Sequence, residues 1–275
     1  MEKLQKALEK ARASRLARQD PVQLDAAPAP EAAKELLESW EKLTEMPIDL
    51  LALERARIAG FHSGQGSTYY DILRTRLRDE AKRNSLKRIA ITSTRPKAGK
   101  TTTLTNLAFS LGRLPFHRTM VFDFDLRRPA LHSMLGQTPE HDMGQVMRGE
   151  VRFDAHVLRH GGNLAFGLNA RPVANSSELL QSDRMEDFLT AVDETYFPDL
   201  MLFDMPPFLA ADDAQGFLSH VDGVLLVVEA DRTTKAQLDV VERKLSELTK
   251  VVGVVLNKCE YPDETDAGNY GYDYY

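Results

Sequence analysis

The stretch from Thr94 to Thr102 constrains this chain more than any other, because it separates two apolar patterns of different period. An unbroken apolar run precedes it, as expected for a buried strand, and apolar residues at helical spacing follow it. These residues are Ile89, Ala90 and Ile91 before the stretch, and Leu104, Leu107, Ala108 and Leu111 after it. Between a strand and a helix, Gly99-Lys100-Thr101 predicts a loop whose backbone N–H groups, with the helix N-terminus, bind phosphate.

Two side chains of this loop have specific roles in the prediction. Lys100 would contact the β- and γ-phosphates of a nucleotide, and the Thr101 hydroxyl would ligate Mg²⁺. Thr94 replaces the usual first glycine, so an ordinary strand-to-helix turn with a surface lysine is the alternative. The predicted nucleotide-contacting residues are Arg95, Pro96, Lys97, Ala98, Gly99, Lys100, Thr101 and Thr102, with Asn257 from a later strand end as a candidate for the adenine edge.

Composition bounds the kind of protein. The chain has 275 residues, 43% of them hydrophobic, which is enough for one large α/β domain with appendages. The formal net charge of -6 argues weakly against general nucleic-acid binding. A single cysteine, Cys259, excludes an internal disulfide and fits a reducing compartment. Because no apolar run approaches a membrane span and the charged N-terminus lacks a signal-peptide core, we expect a cytoplasmic protein.

Strand-like and helix-like segments alternate from about residue 87 onward. Predicted strands lie near 87–93, 118–123, 163–168, 200–204, 223–228 and 252–257, and predicted helices near 101–113, 129–135, 142–148, 183–195, 213–219 and 234–249. This alternation predicts an α/β fold with a mostly parallel sheet flanked by helices on both faces. We expect a helical and flexible N-terminal extension at 1–66, the α/β domain at 67–260 and a tyrosine-rich tail at 261–275.

The N-terminal extension carries its own local signals. Residues 1–18 have a basic and an apolar face, which is typical of a helix that lies on an anionic membrane or docks on a partner. A solvated helix explains the same pattern equally well. A linker rich in proline and alanine is expected at 19–31 and a further helix at 31–43. Asp49 and Ser67 are predicted N-caps of the next helices.

Acidic residues end two of the predicted strands. Asp123 and Asp125 can face the same cleft, so that one holds Mg²⁺ through water and the other orients or deprotonates an incoming hydroxyl. Asp204 ends another apolar strand, where a carboxylate polarises Mg²⁺-bound water in nucleotide sites. Each motif alone could be an ordinary turn or strand end. Because parallel strands end at one edge of a sheet, the loop and both acidic motifs together predict one shared site.

This combination resembles the bacterial tyrosine kinases of capsule and exopolysaccharide synthesis, which belong to the MinD/ParA-like P-loop ATPases. The resemblance covers about residues 67–275. The segments that carry it are Leu73-Arg74-Thr75, Thr92 to Pro96 with Gly99-Lys100, Asp123 to Pro129 with Leu131-His132, Asn175 with Ser177 to Leu180, Asp204 to Pro207 with Asp213-Ala214, and Val254 to Asn257. The clustered tyrosines that close the sequence look like that family's autophosphorylated tail.

The resemblance implies an ATP-dependent, Mg²⁺-requiring protein-tyrosine kinase. It implies Lys100, Asp123, Asp125 and Asp204 as catalytic residues, Thr101, Asp123 and Asp204 as metal ligands, and Tyr270, Tyr272, Tyr274 and Tyr275 as sites phosphorylated between subunits. The implied partners are further copies of this chain and a separate membrane-embedded regulator of polysaccharide chain length. That regulator would recruit the chain to the inner face of the cell membrane. No nucleic-acid partner is expected.

The chain departs from the family pattern in its phosphate loop and in its assembly motif, and its tyrosine cluster is also short. The family's loop reads Pro-Gly-Glu-Gly-Lys, whereas Lys97 and Ala98 stand here, and the loss of glycine at 97 removes backbone freedom close to the phosphates. The family's helical assembly motif carries Glu, Arg and Arg at three-residue spacing, whereas the matching positions here are Thr68, Asp71 and Arg74. Only the last arginine is kept, which puts the family's ring assembly in doubt.

Other interpretations stay open. The chain could be a nucleotide-dependent dimerisation and positioning switch without tyrosine transfer, or a scaffold that only binds partners. Arg95 stands where partition-type relatives have a lysine that reaches the neighbouring subunit's nucleotide, so it is a candidate arginine finger or a solvated loop residue. His156 and His160 could share a helix face, but no third metal ligand is evident in the sequence. Cys259 is interpreted as a bystander.

Overall fold

The computed structural model describes residues 37–210 and 212–260. The predicted helix at 1–18, the linker at 19–31 and the tyrosine cluster at 270–275 lie outside these residues. From Ser39 onward, the described residues form one compact unit. This unit includes residues that precede position 67, where the sequence placed the start of the α/β domain.

In the described part of the chain, eight strands form one sheet. They are β1 (Thr44–Glu45), β2 (Arg88–Ser93), β3 (Thr119–Asp123), β4 (Leu158–His160), β5 (Leu164–Gly167), β6 (Leu200–Asp204), β7 (Gly223–Glu229) and β8 (Lys250–Asn257). Their order across the sheet is β1-β4-β5-β3-β6-β2-β7-β8, and only the β4–β5 pair is antiparallel. The predicted mostly parallel sheet is therefore confirmed.

The central strands read as continuous apolar runs because both of their faces are covered. Every position of β3 and β6 is buried. Aromatic rings pack beside these two strands, with Phe122 stacked on Phe203 at a centroid distance of 5.5 Å and Phe124 edge-on to Phe217 at 5.1 Å. This packing fixes the strand ends from which the acidic residues project.

Residues 37–41 are helical, and ten further α-helices of the described residues connect or flank the strands. They are α1 (Leu50–Arg55), α2 (Thr68–Asn84), α3 (Lys100–Gly112), α4 (Leu131–Met134), α5 (Met143–Met147), α6 (Phe153–His156), α7 (Ser176–Leu180), α8 (Asp183–Tyr196), α9 (Asp212–Phe217) and α10 (Lys235–Ser246). None of these described helices has both the length and the apolar character that crossing a membrane requires.

The two predicted helix caps have different outcomes. Asp49 caps α1 as predicted, since its Oδ1 accepts the Ala52 N–H at 3.0 Å. Ser67 does precede α2, but its side chain does not cap that helix. Its hydroxyl instead accepts the N–H of Gly64 at 3.1 Å and donates to the carbonyl of the same residue at 2.9 Å. The turn at Gly64 therefore takes the hydrogen bonds that a cap would have made.

The sequence missed the short strands β1 and β4 and the short helices α6 and α7. Strand β1 pairs with β4 through only two residues, with Thr44 opposite Leu158 and Glu45 opposite Arg159. A segment of two or three residues is too short to show an apolar period. The two short strands form because a neighbouring segment supplies their hydrogen bonds.

The interpretation of His156 and His160 as neighbours on one helix face is wrong. His156 ends α6, whereas His160 ends β4. His156 Nε2 is 2.8 Å from the carbonyl oxygen of Leu168, and the His160 ring packs between Phe61 and Phe109. Burial lowers the pKa of both imidazoles. His156 is therefore a buried residue, and His160 is half-buried against aromatic rings.

The segment before α2 is part of the core. Met46 and Leu53 are buried in the same apolar cluster as the strands. The side-chain oxygen of Asn106, in the middle of α3, accepts the N–H of Gly60 at 2.7 Å. A Cβ on Gly60 would lie 2.2 Å from the Asn106 carbonyl oxygen, so only glycine allows this close approach.

Candidate active site

The three motifs that the sequence assigned to one site lie on three neighbouring strands. Strand β2 leads into the phosphate loop, β6 beside it ends at Asp204, and β3 on the far side of β6 ends at Asp123. Asp123 and Asp204 are direct partners in the parallel register of β3 and β6. The loop and both acidic strand ends therefore meet at one edge of the sheet.

The loop between β2 and α3 uses backbone conformations that most residues avoid. Gly99, the N-cap of α3, has a φ of +98°, and a Cβ there would lie 2.1 Å from the side-chain nitrogen of Asn257. Lys97 has a φ of +64° although it is not glycine, a conformation that costs about 1 kcal/mol. Lys100 and Thr101, which begin α3, are both buried.

The Lys100 ammonium lies among carboxylates. Its Nζ is 2.9 Å from Asp125 Oδ2 and 3.1 Å from Asp204 Oδ2, and it donates to the Thr101 hydroxyl oxygen at 3.1 Å. The Thr101 hydroxyl donates in turn to the same Asp204 oxygen at 2.7 Å. The side chains of Lys100 and Asp125 are 10% and 8% exposed and that of Asp204 is fully buried, so these contacts are shielded from bulk water.

Asp123 is held by backbone donors. Its Oδ2 accepts the N–H groups of Ala130 and Leu131, both at 3.0 Å, where α4 begins. The second carboxylate oxygen, Oδ1, is buried and has no hydrogen-bond partner in the described residues, and the same is true of Asp204 Oδ1. Two buried carboxylate oxygens that lack a hydrogen-bond donor therefore lie at the ends of adjacent strands.

Burial and charge perturb these groups strongly. Complete burial, reinforced by the charge of Asp204, raises the pKa of Asp123 well above its usual range. Burial also raises the pKa of Asp204, although Lys100 opposes that shift. Burial alone would lower the pKa of Lys100, but the charges of Asp204 and Asp125 raise it overall. Strongly shifted groups in one cluster are typical of functional sites.

These residues fit a bound Mg²⁺. That ion takes oxygen ligands and usually combines one or two carboxylates with water and substrate phosphates. The unpartnered oxygens of Asp123 and Asp204 and the hydroxyl of Thr101 are ligands of this kind. Among residues 37–210 and 212–260, no group of three or more His, Cys, Asp or Glu side chains forms a metal site by itself. The metal would therefore share its coordination with phosphate oxygens.

The other predicted nucleotide contacts are placed around the loop. Asn257 Nδ2 donates to the carbonyl of Ala98 at 2.8 Å, so its amide nitrogen contacts the phosphate loop. Arg95 is 44% exposed, and its Nε lies 3.8 Å from Glu229 Oε2. Of the remaining loop residues, Pro96 and Lys97 are exposed, Ala98 is buried, and Gly99 and Thr102 are half-buried.

Asn169 is a site residue that the sequence analysis did not identify. It follows β5 and is completely buried. Its Nδ2 donates to the Asp123 carbonyl at 2.6 Å, and its Oδ1 accepts the N–H of Met143, at the start of α5, at 2.7 Å. It thus joins the end of β3 to α5. An asparagine after a strand usually indicates only a turn, so the sequence offered no signal for this role.

A parallel sheet whose central strand leads through a Gly-Lys-Thr loop into a helix, with buried aspartates on neighbouring strands, defines a phosphate-loop nucleotide-binding protein. Comparison with known families agrees with this class. Residues 89–273 match the family described as the CobQ/CobB/MinD/ParA nucleotide binding domain. Because the match spans more than half of the chain, the chain belongs to this family.

Known proteins that resemble the chain include bacterial tyrosine kinases. Tyrosine-protein kinase YwqD of Bacillus subtilis (strain 168) is 28% identical over 207 residues, which cover 74% of this chain and 86% of that protein. Tyrosine-protein kinase CpsD of Streptococcus agalactiae is 28% identical over 212 residues, which cover 74% and 89%.

A solved structure gives the same result. The kinase domain of Escherichia coli tyrosine kinase ETK is 26% identical, with a TM-score of 0.63, over 74% of this chain and 80% of that domain. The resemblance to bacterial tyrosine kinases that the motifs indicated is therefore confirmed.

Proposed function

We propose that this chain is an ATP-dependent protein-tyrosine kinase that phosphorylates its own tyrosine cluster and regulates the polymerisation or export of an exopolysaccharide or capsule. The observation that carries the proposal is the meeting of Lys100, Thr101 and the three aspartates at one sheet edge. Similarity to tyrosine kinases over 74% of the chain supports the choice of tyrosine as the acceptor.

Some site residues bind the phosphates of ATP, and another contacts the tyrosine hydroxyl that accepts the phosphoryl group. The backbone N–H groups at the start of α3 and the Lys100 ammonium bind the phosphates of ATP. Thr101, Asp123 and Asp204 would hold Mg²⁺, which when bound neutralises charge on the phosphate oxygens. Asp125 is the least buried aspartate of this cluster, with 8% of its side chain exposed, so we assign to it the orientation of the tyrosine hydroxyl and acceptance of its proton.

The acceptor tyrosines are Tyr270, Tyr272, Tyr274 and Tyr275, which lie outside the described residues. From the family resemblance we infer that the tail of one copy enters the site of another. We also infer that a separate membrane-embedded chain-length regulator activates the kinase and recruits it to the inner face of the membrane. The basic residues at 1–18 are a second candidate for membrane contact.

The contacts of α2 bear on how copies associate. Arg74 matches the last position of the family's assembly motif, and its Nη1 donates to the carbonyl of Ser110 at 2.9 Å and to Asp71 Oδ1 at 3.3 Å. Asp71 also forms an ion pair with Arg113. Because these groups satisfy one another within one chain, association through α2 would need contacts other than those of the family's motif. The proposed transfer between copies therefore does not assume the family's ring.

Mass spectrometry of the tail after incubation with ATP and Mg²⁺ tests the proposal. We expect phosphate on one or more of the four tyrosines in the wild type and none in Lys100→Met. Lys87→Met is the matched control, because Lys87 pairs with Asp193 at the opposite end of the sheet and should keep full labelling. Labelling that persists in Lys100→Met, or ATP hydrolysis without tail labelling, would overturn the proposal. The second result would identify a nucleotide-dependent switch instead.

A mixing experiment tests transfer between copies. A Lys100→Met chain labelled with heavy isotopes is incubated with unlabelled wild type, ATP and Mg²⁺. Phosphate on the heavy tail is expected, because an inactive chain can be modified only by another copy. Phosphate confined to the light tail would show that each chain modifies itself.

A further inference from the structure

Asn257, the last residue of β8, and Lys258, which follows it, hold the backbone of the phosphate loop. Lys258 Nζ donates to the carbonyl of Lys97 at 2.7 Å, and Asn257 Nδ2 donates to the carbonyl of Ala98 at 2.8 Å. These are successive carbonyl groups, immediately before the N-cap glycine of α3. Side chains about 160 positions away in the sequence therefore hold the loop backbone by hydrogen bonds.

The first of these carbonyls belongs to the residue with the unfavourable backbone. Lys97 has a φ of +64°, in the left-handed region where a side chain crowds its own backbone. Glycine would adopt this conformation freely. A lysine without further contacts would relax to a negative φ and rotate the peptide group that follows it. Something in the fold must therefore oppose this rotation.

Fixing a carbonyl also fixes the next N–H group. In a trans peptide the C=O of one residue and the N–H of the next point in opposite directions. A donor on the Lys97 carbonyl therefore sets the direction of the Ala98 N–H, and a donor on the Ala98 carbonyl sets that of the Gly99 N–H. In a phosphate loop these are the groups that bind the anion.

We propose that Lys258 is a positioning residue for nucleotide binding, which holds the loop in the left-handed conformation at Lys97 that glycine would adopt unaided. The proposal rests on the nucleotide-binding part of the function proposed above and is independent of tyrosine transfer. Asn257 holds the neighbouring peptide group in the same way. The two residues together form a latch between β8 and the phosphate loop.

The surroundings of Lys258 localise its ammonium group. Nζ lies 3.1 Å from Glu229 Oε1, while the other oxygen of Glu229 is 3.8 Å from Arg95 Nε. Glu229, the last residue of β7, therefore pairs both with Lys258 and with Arg95 of the loop itself. Although the Lys258 side chain is 47% exposed, this ion pair restricts it to positions near the Lys97 carbonyl. Its positive charge also adds to the anion-attracting potential of the loop.

Titration with a fluorescent ADP analogue and Mg²⁺ measures the contribution of Lys258. We expect Lys258→Met to raise the Kd about fivefold, equivalent to about 1 kcal/mol at 1.4 kcal/mol per tenfold change. Lys258→Arg, which keeps a cationic donor, should stay within about twofold of wild type. Lys250→Met is the matched control: Lys250 lies on the same strand, is 40% exposed and pairs with Glu80 at 2.9 Å. It should leave the Kd unchanged.

A second set of variants, made in Lys97→Gly, tests whether Lys258 acts through the left-handed conformation at Lys97. In Lys97→Gly, the same Lys258→Met substitution should change the Kd by less than about twofold, because glycine needs no latch. An equal loss in both backgrounds would show that Lys258 acts only through its charge, and would overturn the proposal. Unchanged binding in Lys258→Met with Lys97 present would overturn it as well.

Hydrogen exchange without nucleotide separates this proposal from the kinase assignment. The amides of Ala98 and Gly99 should exchange about fivefold faster in Lys258→Met than in wild type, while Lys250→Met leaves them unchanged. Faster exchange in Lys258→Met, in a protein whose tail is not phosphorylated, would support the role of Lys258 and contradict the kinase assignment. Unchanged exchange in Lys258→Met would contradict the role of Lys258, whether or not the tail is phosphorylated.

Discussion

The two ends of the central sheet contain acidic residues in opposite electrostatic situations. At the amino end, the carboxylates receive hydrogen bonds from the backbone of the neighbouring strand. Asp222 Oδ2 accepts the N–H groups of Lys87 and Arg88 at 2.7 and 2.8 Å, and Asp199 accepts the N–H of Arg118 at 2.7 Å. These acids close the start of the parallel strands, and their role is structural.

At the carboxyl end, Lys100 forms ion pairs with Asp125 and Asp204 and also interacts electrostatically with Asp123. Asp123 and Asp204 each keep a buried oxygen that no group in the described residues satisfies. A folded chain gains no stability from such atoms, since an unsatisfied buried polar group costs about 1–3 kcal/mol. The carboxyl end of the sheet therefore keeps carboxylate oxygens without a partner, and a cation such as Mg²⁺ can coordinate them.

We expect the largest difference between the two ends of the sheet when one aspartate at each end is replaced by asparagine. We expect Asp204→Asn to lower the rate of tail phosphorylation by about a hundredfold or more, because it removes a buried charge that faces the metal and Lys100. Asp222→Asn should leave the rate within about twofold and lower the free energy of unfolding by about 1–2 kcal/mol. Phosphorylation kinetics and urea unfolding measure both. Equal rate losses in the two variants would contradict the division between the ends.

A pair of asparagines flanks β5 and extends the same comparison. Asn163 precedes the strand, and its Nδ2 lies within 3.2 Å of the carbonyls of Gly112, Leu114 and His117, whereas Asn169 follows the strand and holds Asp123. We expect Asn169→Ser to lower kcat about tenfold with little change in KM, because the β3 end shifts relative to Lys100.

Asn163→Ser is the control for that substitution. It should lower the free energy of unfolding by about 1–3 kcal/mol, because three partly buried carbonyls lose their donor, and leave kcat of the folded protein within about twofold. Steady-state kinetics on samples shown by circular dichroism to be folded would measure both. A kcat loss in Asn163→Ser as large as that in Asn169→Ser would show that general destabilisation explains the effect.

The pH dependence of stability should have opposite signs at the two ends. Burial, with the charge of Asp204, raises the pKa of Asp123, so its contribution to stability is present below its unfolded pKa and is lost as pH rises through the folded value. Partial burial tends to raise the pKa of Asp199, but hydrogen bonds from His117 and the Arg118 backbone lower it overall. Its contribution is therefore present at neutral pH and is lost as pH falls through the folded value.

Urea unfolding between about pH 2 and pH 8, a window that extends to both sides of the unfolded pKa of aspartate, tests these signs. Relative to wild type, Asp123→Asn should become more stable as pH rises, by roughly 1 kcal/mol or more at neutral pH without nucleotide. Asp199→Asn should be less stable at neutral pH, by no more than about 1 kcal/mol because the group is half exposed, with a deficit that shrinks in acid. Parallel pH profiles for the two variants would show that the ends do not differ.

Local pattern was enough for the order of most elements and for the loop. The apolar runs of β2, β3, β6 and β7 and the Gly99-Lys100-Thr101 sequence identify a strand–loop–helix unit and a parallel sheet, because periodicity and turn chemistry act over a few residues. The same reasoning failed for β1 and β4, whose few residues pair only because another segment lies beside them. It also placed His156 and His160 on one helix, whereas the helix ends at His156 and His160 belongs to β4.

The sequence by itself determined the class of fold, the phosphate loop and the acidic strand ends, since each is a short pattern with a local physical cause. Only the tertiary structure decided which oxygens stay unsatisfied, which carboxylates contact Lys100, and that Asn169 and Lys258 hold the site in place. These contacts join residues far apart in the chain, such as Lys100 with Asp204, 104 positions away, and Asn257 with Ala98, 159 positions away. No local period encodes them, because they depend on the order in which the strands lie in the sheet.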